Sequence, residues 1–354
     1  MGNDLGIAIV GAGIVARYHA QAIAQAAGAR LVAVSRSDAA KAAEASAEFG
    51  VPCETSVAAL LARPDVDAVA ICTPSGQHAE HAIAALRAGK HVLVEKPMAL
   101  TLADADAMIA AAREAKVRLG VAFQRRTEPA YQAVRGAIGE GALGSLVMGA
   151  AAVPYFRSQD YYRSAAWRGT WALDGGGALM NQGIHLADLL LWFMGEVVEV
   201  TARADTLAHP IEVEDNLACT LAFRNGALGA IYATTAAAPG FPHRVEVYGT
   251  EGGVQIEGEA LVRWNARTPA PQGLASVESG AAAAGSGASP TGIAVTGHAR
   301  LMADFVAAVR EDRPPLVGGE EGRRSLALVL AIYESARTGH AVRLVDAAAA
   351  PSSS

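Results

Sequence analysis

A chain of 354 residues exceeds one ordinary domain, so two domains are the default. Its net charge of −6 argues against a nucleic-acid partner, and no apolar run reaches the ~20 residues that cross a bilayer. Cys53, Cys72 and Cys219 are odd in number, far apart and without a CxxC pair, which fits a reducing cytosol; no HExxH or Cys/His framework asks for a metal. Met1–Gly6 has no basic stretch of the secretory kind, so a cytoplasmic location is expected.

Gly6–Val10 is a short apolar run of buried-strand type. It leads into Gly11-Ala12-Gly13-Ile14-Val15-Ala16, and a helical pattern follows to about Ala27. Strand, glycine turn and helix in that order form the fingerprint of a dinucleotide-binding fold. Gly11 permits the tight turn and Gly13 lets the backbone approach a pyrophosphate. The helix opened by Ile14 and Val15 offers N–H donors and positive potential. A second strand, Leu31–Val34, ends in Ser35-Arg36-Ser37, where NAD enzymes usually carry an acid for the ribose 2′-hydroxyl. Arg36 can pair with a 2′-phosphate and the serines can hydrogen-bond to it, so NADP is favoured over NAD. In the competing reading Arg36 is exposed and Asp38 takes the ribose.

Val66–Cys72 is another buried strand, followed by Thr73-Pro74-Ser75 and a helix carrying His78. His91–Glu95 is the next, running into Glu95-Lys96-Pro97. Open parallel sheets bind ligands off the carboxyl ends of their strands, which puts both loops at the cofactor edge. A helix over Leu102–Lys116 and a strand over Arg118–Phe123 close a first domain, residues 1–123.

A second domain, 124–345, starts with a helix over Glu128–Gly139 and a strand over Ser145–Ala152. The loop from Tyr155 to Trp171 gathers Tyr155, Arg157, Tyr161, Tyr162, Arg163, Trp167 and Arg168 in a chain with only 5% aromatics. Aromatic faces and guanidinium forks suit sugar rings, phosphates and carboxylates; the alternative is a loop packed under its own side chains. Asp174-Gly-Gly-Gly177 then allows the backbone to turn tightly and approach a ligand. A Leu- and Met-rich helix from Ala178 closes at Gly195, and Asn181, His185 and Asp188 fall on one of its faces at i, i+4 and i+7. A polar stripe on so apolar a helix needs partners or a wet cavity, and it reads as one wall of an active site.

Beyond Gly195 the pattern becomes a run of strands: Val197–Ala204, Asn216–Phe223, Ala227–Thr234, Arg244–Tyr248, Gly253–Glu257 and Ala260–Trp264. Their short turns, with Asn225-Gly226 the strongest, predict an open, mainly antiparallel sheet covered by helices on one face. The uncovered face predicts a homodimer or homotetramer. Thr268–Pro290 reads as a mobile loop, Leu301–Arg310 and Ser325–Thr338 as closing helices, and Asp346–Ser354 as a disordered tail. The fold class is therefore a Rossmann α/β domain followed by an α+β domain.

Taken together, Gly11-Ala-Gly13, Thr73-Pro74…His78, Glu95-Lys96-Pro97, the Gly-Gly-Gly…Asn-x-x-x-His…Asp helix, Asp304-Phe305, Gly322-Arg323-Arg324 and Tyr333-Glu-Ser-Ala resemble the Gfo/Idh/MocA family of oxidoreductases. The resemblance covers nearly the whole chain. It implies NAD or NADP, and a small-molecule carbohydrate substrate: a sugar, glycoside, inositol or nucleotide-linked sugar. It also implies that Lys96 and His185 are the catalytic pair, and it puts Trp167 and Arg168 near cofactor or substrate. Position 181 is Asp in the family's inositol dehydrogenases and Asn here, which is more like the branch acting on nucleotide-sugar uronates.

On this reading His185 is the general acid/base, Lys96 stabilises charge on the same oxygen, Asn181 fixes substrate or imidazole without titrating, and Asp188 either orients the ring from behind or is only a helix-surface charge. The expected cofactor contacts are Gly11, Gly13, Ile14, Val15, Ser35, Arg36, Ser37, Thr73, Pro74, His78, Glu95, Lys96, Trp167 and Arg168. Gln124, Tyr155, Arg157 and Tyr162 join Lys96, Asn181 and His185 on the substrate. The rival readings are an aldose–ketose oxidoreductase that retains its cofactor, an inositol dehydrogenase, and a non-catalytic NADP-binding regulator.

Overall fold

The computed structural model describes residues 4–270 and 295–344. Most of the expected 268–290 loop and all of the expected tail lie outside the described residues. The described chain forms two compact units, the first from 4–127, 172–175 and 295–326, the second from 128–171, 176–270 and 327–344. The break falls at Thr127 rather than at 123, and the helix Val295–Arg310 belongs to the first unit instead of the second. The reason is packing: its Leu301, Met302, Phe305 and Val306 complete the apolar core around Ile7, Ile9, Ile23 and Leu93.

In the first unit six strands, β1 (Leu5–Val10), β2 (Ala29–Ser35), β3 (Cys53–Glu54), β4 (Ala68–Ile71), β5 (His91–Val94) and β6 (Leu119–Val121), form one parallel sheet in the order β3-β2-β1-β4-β5-β6. Helices Ile14–Gln25, Ala42–Phe49, Val57–Leu61, His78–Arg87 and Leu102–Ala115 alternate with the strands. Burial on both faces explains why the central strands are continuous apolar runs such as Ile7-Ala-Ile-Val10 and Ala68-Val-Ala-Ile71. The strand order reverses between β1 and β4, the crevice where ligands bind in sheets of this kind.

The second unit holds eight strands, β7 (Leu146–Pro154), β8 (Val197–Asp205), β9 (Asn216–Phe223), β10 (Leu228–Thr234), β11 (Arg244–Gly249), β12 (Gly252–Glu257), β13 (Ala260–Asn265) and β14 (Val342–Arg343), in the order β13-β12-β11-β7-β10-β9-β8-β14. The expected uninterrupted meander is corrected here. β7 enters between β11 and β10, antiparallel to the former and parallel to the latter. Leu217, Cys219, Leu221 and Phe223 of β9 and Ile231 and Ala233 of β10 are buried, while Leu228 and Tyr232 stand exposed on the opposite face. The helix Ile184–Met194 packs on β7, where a Cβ on Gly149 would lie 2.8 Å from Met194.

Candidate active site

In the first unit the glycine turn does two separate jobs. Gly11 has φ +95°, and a Cβ there would lie 2.9 Å from the Cys72 carbonyl, so the fold itself demands glycine. A Cβ on Gly13 would meet nothing within 4 Å. Gly13 is also the N-cap of Ile14–Gln25 and supplies no side-chain cap, so the helix offers Ile14, Val15 and their neighbours as N–H donors of the kind that holds a pyrophosphate. Ser35 is buried at the end of β2, Arg36 is half-buried with Nη1 3.5 Å from the Ala12 carbonyl, and Ser37 is exposed. Asp38 caps its own turn, its Oδ1 accepting from the Ala40 N–H at 3.1 Å. These residues fit a dinucleotide.

Thr73 and Pro74 line the loop after β4, and His78 starts the following helix with its ring turned inward. His78 is buried, with Nε2 2.9 Å from the Thr73 carbonyl and Nδ1 2.7 Å from that of Pro97. Burial holds its pKa below the ordinary imidazole range, against the pull of those two carbonyls. The ring thus ties the Thr73 loop to Pro97, whose peptide bond with Lys96 is cis. Lys96 itself is half-buried.

Behind Lys96 stands a buried cluster. Glu95 Oε1 lies 2.8 Å from His19 Nε2 and 3.8 Å from His298 Nε2, and Oε2 accepts from the Lys96 N–H at 3.3 Å. Burial alone would raise the Glu95 pKa, but His19 outweighs it and holds the carboxyl down to about 2. Burial likewise opposes charge on His19, and Cys72 and Glu95 favour it; since burial keeps the Cys72 thiol protonated, the net upward direction is assigned to Glu95. His298 is pushed down to about 4, by burial first and then by its cationic neighbours His19, Lys96 and Arg125. His19, Glu95 and His298 have ligand atoms within 4.8 Å of one another, the one grouping among the described residues spaced to hold a metal. Its shortest contact is already a hydrogen bond between two of the three.

In the second unit the predicted single α-helix is two pieces. Ala178–Gly183 is a π-helical turn, and Ile184–Met194 is α-helical. His185 and Asp188 share a face of the α-helix, but the 3.6-residue argument does not carry back through the π turn to Asn181. His185 is 8% exposed, Asp188 1%, and Asn181 lies between buried and exposed, its side-chain oxygen 3.4 Å from Gln182 Nε2. π turns of this kind are frequent at functional sites.

The turn's N–H groups are held by Glu214, which the sequence reading does not single out, and by Tyr333, which enters it only through the family resemblance. Glu214, 4% exposed, accepts from Gly177 N–H at 2.9 Å on Oε2 and from Leu179 N–H at 2.8 Å on Oε1. Its main-chain carbonyl accepts from Ala178 N–H at 3.0 Å. The Tyr333 hydroxyl accepts from Met180 N–H at 3.0 Å and donates to Glu214 Oε1 at 2.9 Å. Burial pushes the Glu214 pKa up to about 7 against the pull of the Leu179, Tyr333 and Gly177 donors. The advance signals were an acid pair, Glu214-Asp215, ahead of a strand, and the Tyr333-Glu-Ser-Ala segment quoted for the family resemblance, neither of which pointed to this turn.

The loop cluster of this unit folds largely on itself. Tyr155 is buried with its hydroxyl 2.9 Å from His243 Nδ1, and Tyr162 with its hydroxyl 2.8 Å from Thr235 Oγ1. Arg157 is buried with its guanidinium 5.3 and 5.6 Å from the Tyr155 and Tyr161 ring centroids, and burial lowers its pKa. Arg168 lies 4.3 Å from the Tyr161 centroid and 4.6 Å from that of Trp167, and all three are half-buried.

Comparison with known proteins decides the family. Residues 5–123 match the model of the oxidoreductase family with NAD-binding Rossmann fold, and residues 131–255 match the GFO/IDH/MocA C-terminal domain. The chain belongs to the Gfo/Idh/MocA family of oxidoreductases. It is 32% identical over 342 residues to 1,5-anhydro-D-fructose reductase of Ensifer adhaerens, covering 95% of this chain and 97% of that one. It is 32% identical over 261 residues to inositol 2-dehydrogenase of Rhizobium meliloti, covering 72% and 76%. Among solved structures, the WlbA dehydrogenase of Bordetella pertussis, in complex with NADH and UDP-GlcNAcA, aligns at 34% identity and a TM-score of 0.88 over 98% of this chain and 99% of that one.

This Gfo/Idh/MocA chain is a nicotinamide-dependent oxidoreductase. No helix among the described residues is long and apolar enough to cross a membrane. Of the residues expected at the site, Gly11, Gly13, Ile14, Val15, Ser35, Arg36 and Ser37 gather at the first half of the parallel sheet, and Thr73, Pro74, Lys96 and Gln124 at the ends of β4, β5 and β6. Glu95 and His78 are turned into the protein, where they support those loops. In the second unit Asn181 stands on the π turn and His185 on the α-helix that follows it, while Tyr155, Arg157, Tyr162, Trp167 and Arg168 belong to the separate stretch after β7.

Proposed function

We propose that the protein is a dehydrogenase for a sugar bearing an anionic group, a nucleotide-linked or glycosidic sugar, with Lys96 and His185 acting on one carbinol oxygen. When bound, the dinucleotide supplies the nicotinamide that takes or gives the hydride. In the oxidising direction the C–H bond breaks as hydride leaves, and His185 accepts the hydroxyl proton. The Lys96 ammonium donates to the same oxygen and stabilises the charge that builds there. Asn181 offers an amide for orientation without changing charge.

The observation that carries the anionic-sugar reading is the half-buried Arg168 guanidinium, which lies over the Tyr161 and Trp167 rings and donates to the Tyr161 hydroxyl at 2.6 Å. A cation on an aromatic wall recognises both a sugar face and a phosphate or carboxylate. Asn181 in place of an acid points the same way, because a carboxylate there would repel an anionic substrate. The test is turnover, followed at the nicotinamide absorbance, with UDP-GlcNAcA, 1,5-anhydro-D-fructose and myo-inositol offered in parallel. A preference for myo-inositol overturns the reading.

NADP is placed ahead of NAD because Asp38 is occupied with its own turn while Arg36 sits at the end of β2. Titration of both cofactors is expected to show tighter NADP(H) binding, and Arg36→Asp to reverse the order. A preference for NAD that survives the substitution overturns this. The exposed Val147, Met148, Leu228 and Tyr232 on the sheet of the second unit belong on this reading to a homodimer or homotetramer interface. Sedimentation as a monomer at micromolar concentration rules that out.

A further inference from the structure

We propose that Glu214 and Tyr333 are positioning residues of the reaction: together they cap the turn that carries Asn181 and leads into His185, and so set where both side chains stand. This rests on the catalytic reading of His185 given above.

A helix begins with four N–H groups that have no partner within the helix. Here those of Gly177, Ala178, Leu179 and Met180 are all occupied, three by Glu214 and the fourth by Tyr333. The next N–H, of Asn181, is the first to find the turn's own backbone, donating to the Gly177 carbonyl at 2.9 Å. The register of the π turn is therefore set from outside. A local Ser or Asp cap supplies one acceptor; this arrangement supplies four, on groups in the segment just ahead of β9 and in the helix Gly319–Thr338.

The glycines ahead of the turn agree. A Cβ on Gly176 would lie 2.2 Å from the Tyr333 hydroxyl, and one on Gly177 1.8 Å from the Glu214 carbonyl. Their absence of side chain serves the clamp. Tyr333 is itself held at its ring by Trp171, centroids 5.4 Å apart and edge-on, and Trp171 is held by the Glu212 carbonyl at 3.0 Å from its Nε1. Burial and the adjoining carboxylate raise the Tyr333 pKa, so the phenol stays protonated and keeps both roles, donor to Glu214 and acceptor from Met180.

Tyr333→Phe removes one oxygen and leaves the Met180 N–H and Glu214 Oε1 each short of a partner; Glu214→Gln turns a donor toward donors. Ser335→Ala, on the same helix, serves as the structural control, since Ser335 binds the Ala202 N–H at 3.0 Å and the His340 carbonyl at 2.7 Å. In the whole, substrate-free protein the His185 imidazole resonance, assigned with His185→Ala, is titrated by NMR. Tyr333→Phe and Glu214→Gln are expected to move its midpoint by about 0.3 pH unit or more, and Ser335→Ala to leave it in place while lowering the melting temperature. With UDP-GlcNAcA, Tyr333→Phe is expected to lower kcat about 10- to 100-fold, the scale of a displacement near one ångström, with NADH affinity unchanged.

A His185 midpoint unmoved in both variants overturns the clamp, whether or not UDP-GlcNAcA is turned over. Inactive His185→Ala beside fully active Tyr333→Phe also overturns it. Active His185→Ala beside slow Tyr333→Phe with a moved His185 midpoint upholds the clamp and overturns the catalytic assignment of His185 instead.

Discussion

The segments carrying Lys96 and His185 are each braced by a buried glutamate, and the two glutamates behave in opposite ways. Glu95 faces the His19 ring and is held down to about 2; Glu214 faces two N–H groups and a phenol and is pushed up to about 7. Burial acts in the same direction on both. What differs is whether the partner can carry a full charge or only a dipole. An imidazolium outweighs desolvation, whereas three neutral donors only reduce it. The bracing on the Lys96 side is thus an ion pair, and on the His185 side a cap.

The largest expected effect tests whether the braced segments do chemistry at all. Lys96→Ala and His185→Ala are each expected to lower kcat by about 10²–10⁴-fold with little change in cofactor affinity. The double variant should lose less than the product, as for groups acting as a unit, and Asn181→Ala less than either. Turnover and cofactor binding measured separately check this, and near-normal turnover in His185→Ala would leave its helix a structural feature only.

Breaking the ion pair comes next. His19→Leu removes the main counter-charge of the buried Glu95, so a loss of about 3–5 kcal/mol in urea unfolding is expected. Glu214→Gln, which disturbs a cap, should cost only about 1–3 kcal/mol. Equal losses would erase the distinction between the two braces.

The pH dependence of stability sharpens it. Glu95 is lowered from 4.5, so its contribution is complete above that value and is lost as pH falls toward 2. His19 is raised from 6.5, so its contribution is complete below that value and is lost as pH climbs above it. Glu214 is raised from 4.5 to about 7; the folded state binds its proton more tightly, so its contribution grows as pH falls from 7 to 4.5 and is lost as pH rises through 7. Unfolding across that range should show Glu214→Gln flattening the slope between 4.5 and 7, and Glu95→Gln removing the acid-side loss. The smallest effect belongs to His298→Phe. Its Nδ1 is buried without a hydrogen bond and its Nε2 lies 3.8 Å from Glu95, so a change within about 1 kcal/mol is expected.

The fold was legible where local pattern decides it. Gly6–Val10 and Val66–Cys72 read as buried strands because both their faces are covered, and the short turns after Gly195, Asn225-Gly226 above all, announced an antiparallel sheet. The insertion of β7 beside β10 was not legible, because pairing between distant strands leaves no mark on either one. Ala42–Phe49 escaped notice because it buries a single residue, Ala45, and so shows no apolar stripe. Of the site, Lys96 and His185 stood out through motif and resemblance. The π turn did not, since its register is set by Glu214 and Tyr333, and the triple glycine was read as making room for a ligand when two of its members make room for those residues.

A helix cap is ordinarily a neighbour in sequence, available as soon as the first turn forms. The cap on this turn comes from Glu214, 35 and 37 residues from the amides it binds, and from Tyr333, 153 residues from Met180. The turn therefore cannot nucleate as an isolated helix. Until β9 and the C-terminal helix are in place its leading amides have only water to bind, and they are lost again whenever either element detaches. Opening of this turn is thereby coupled to sub-global unfolding of its unit, which places the amides of Gly177–Met180 among the slow exchangers although they border a loop. The part of the molecule that holds His185 is held by elements distant in sequence and is released together with them.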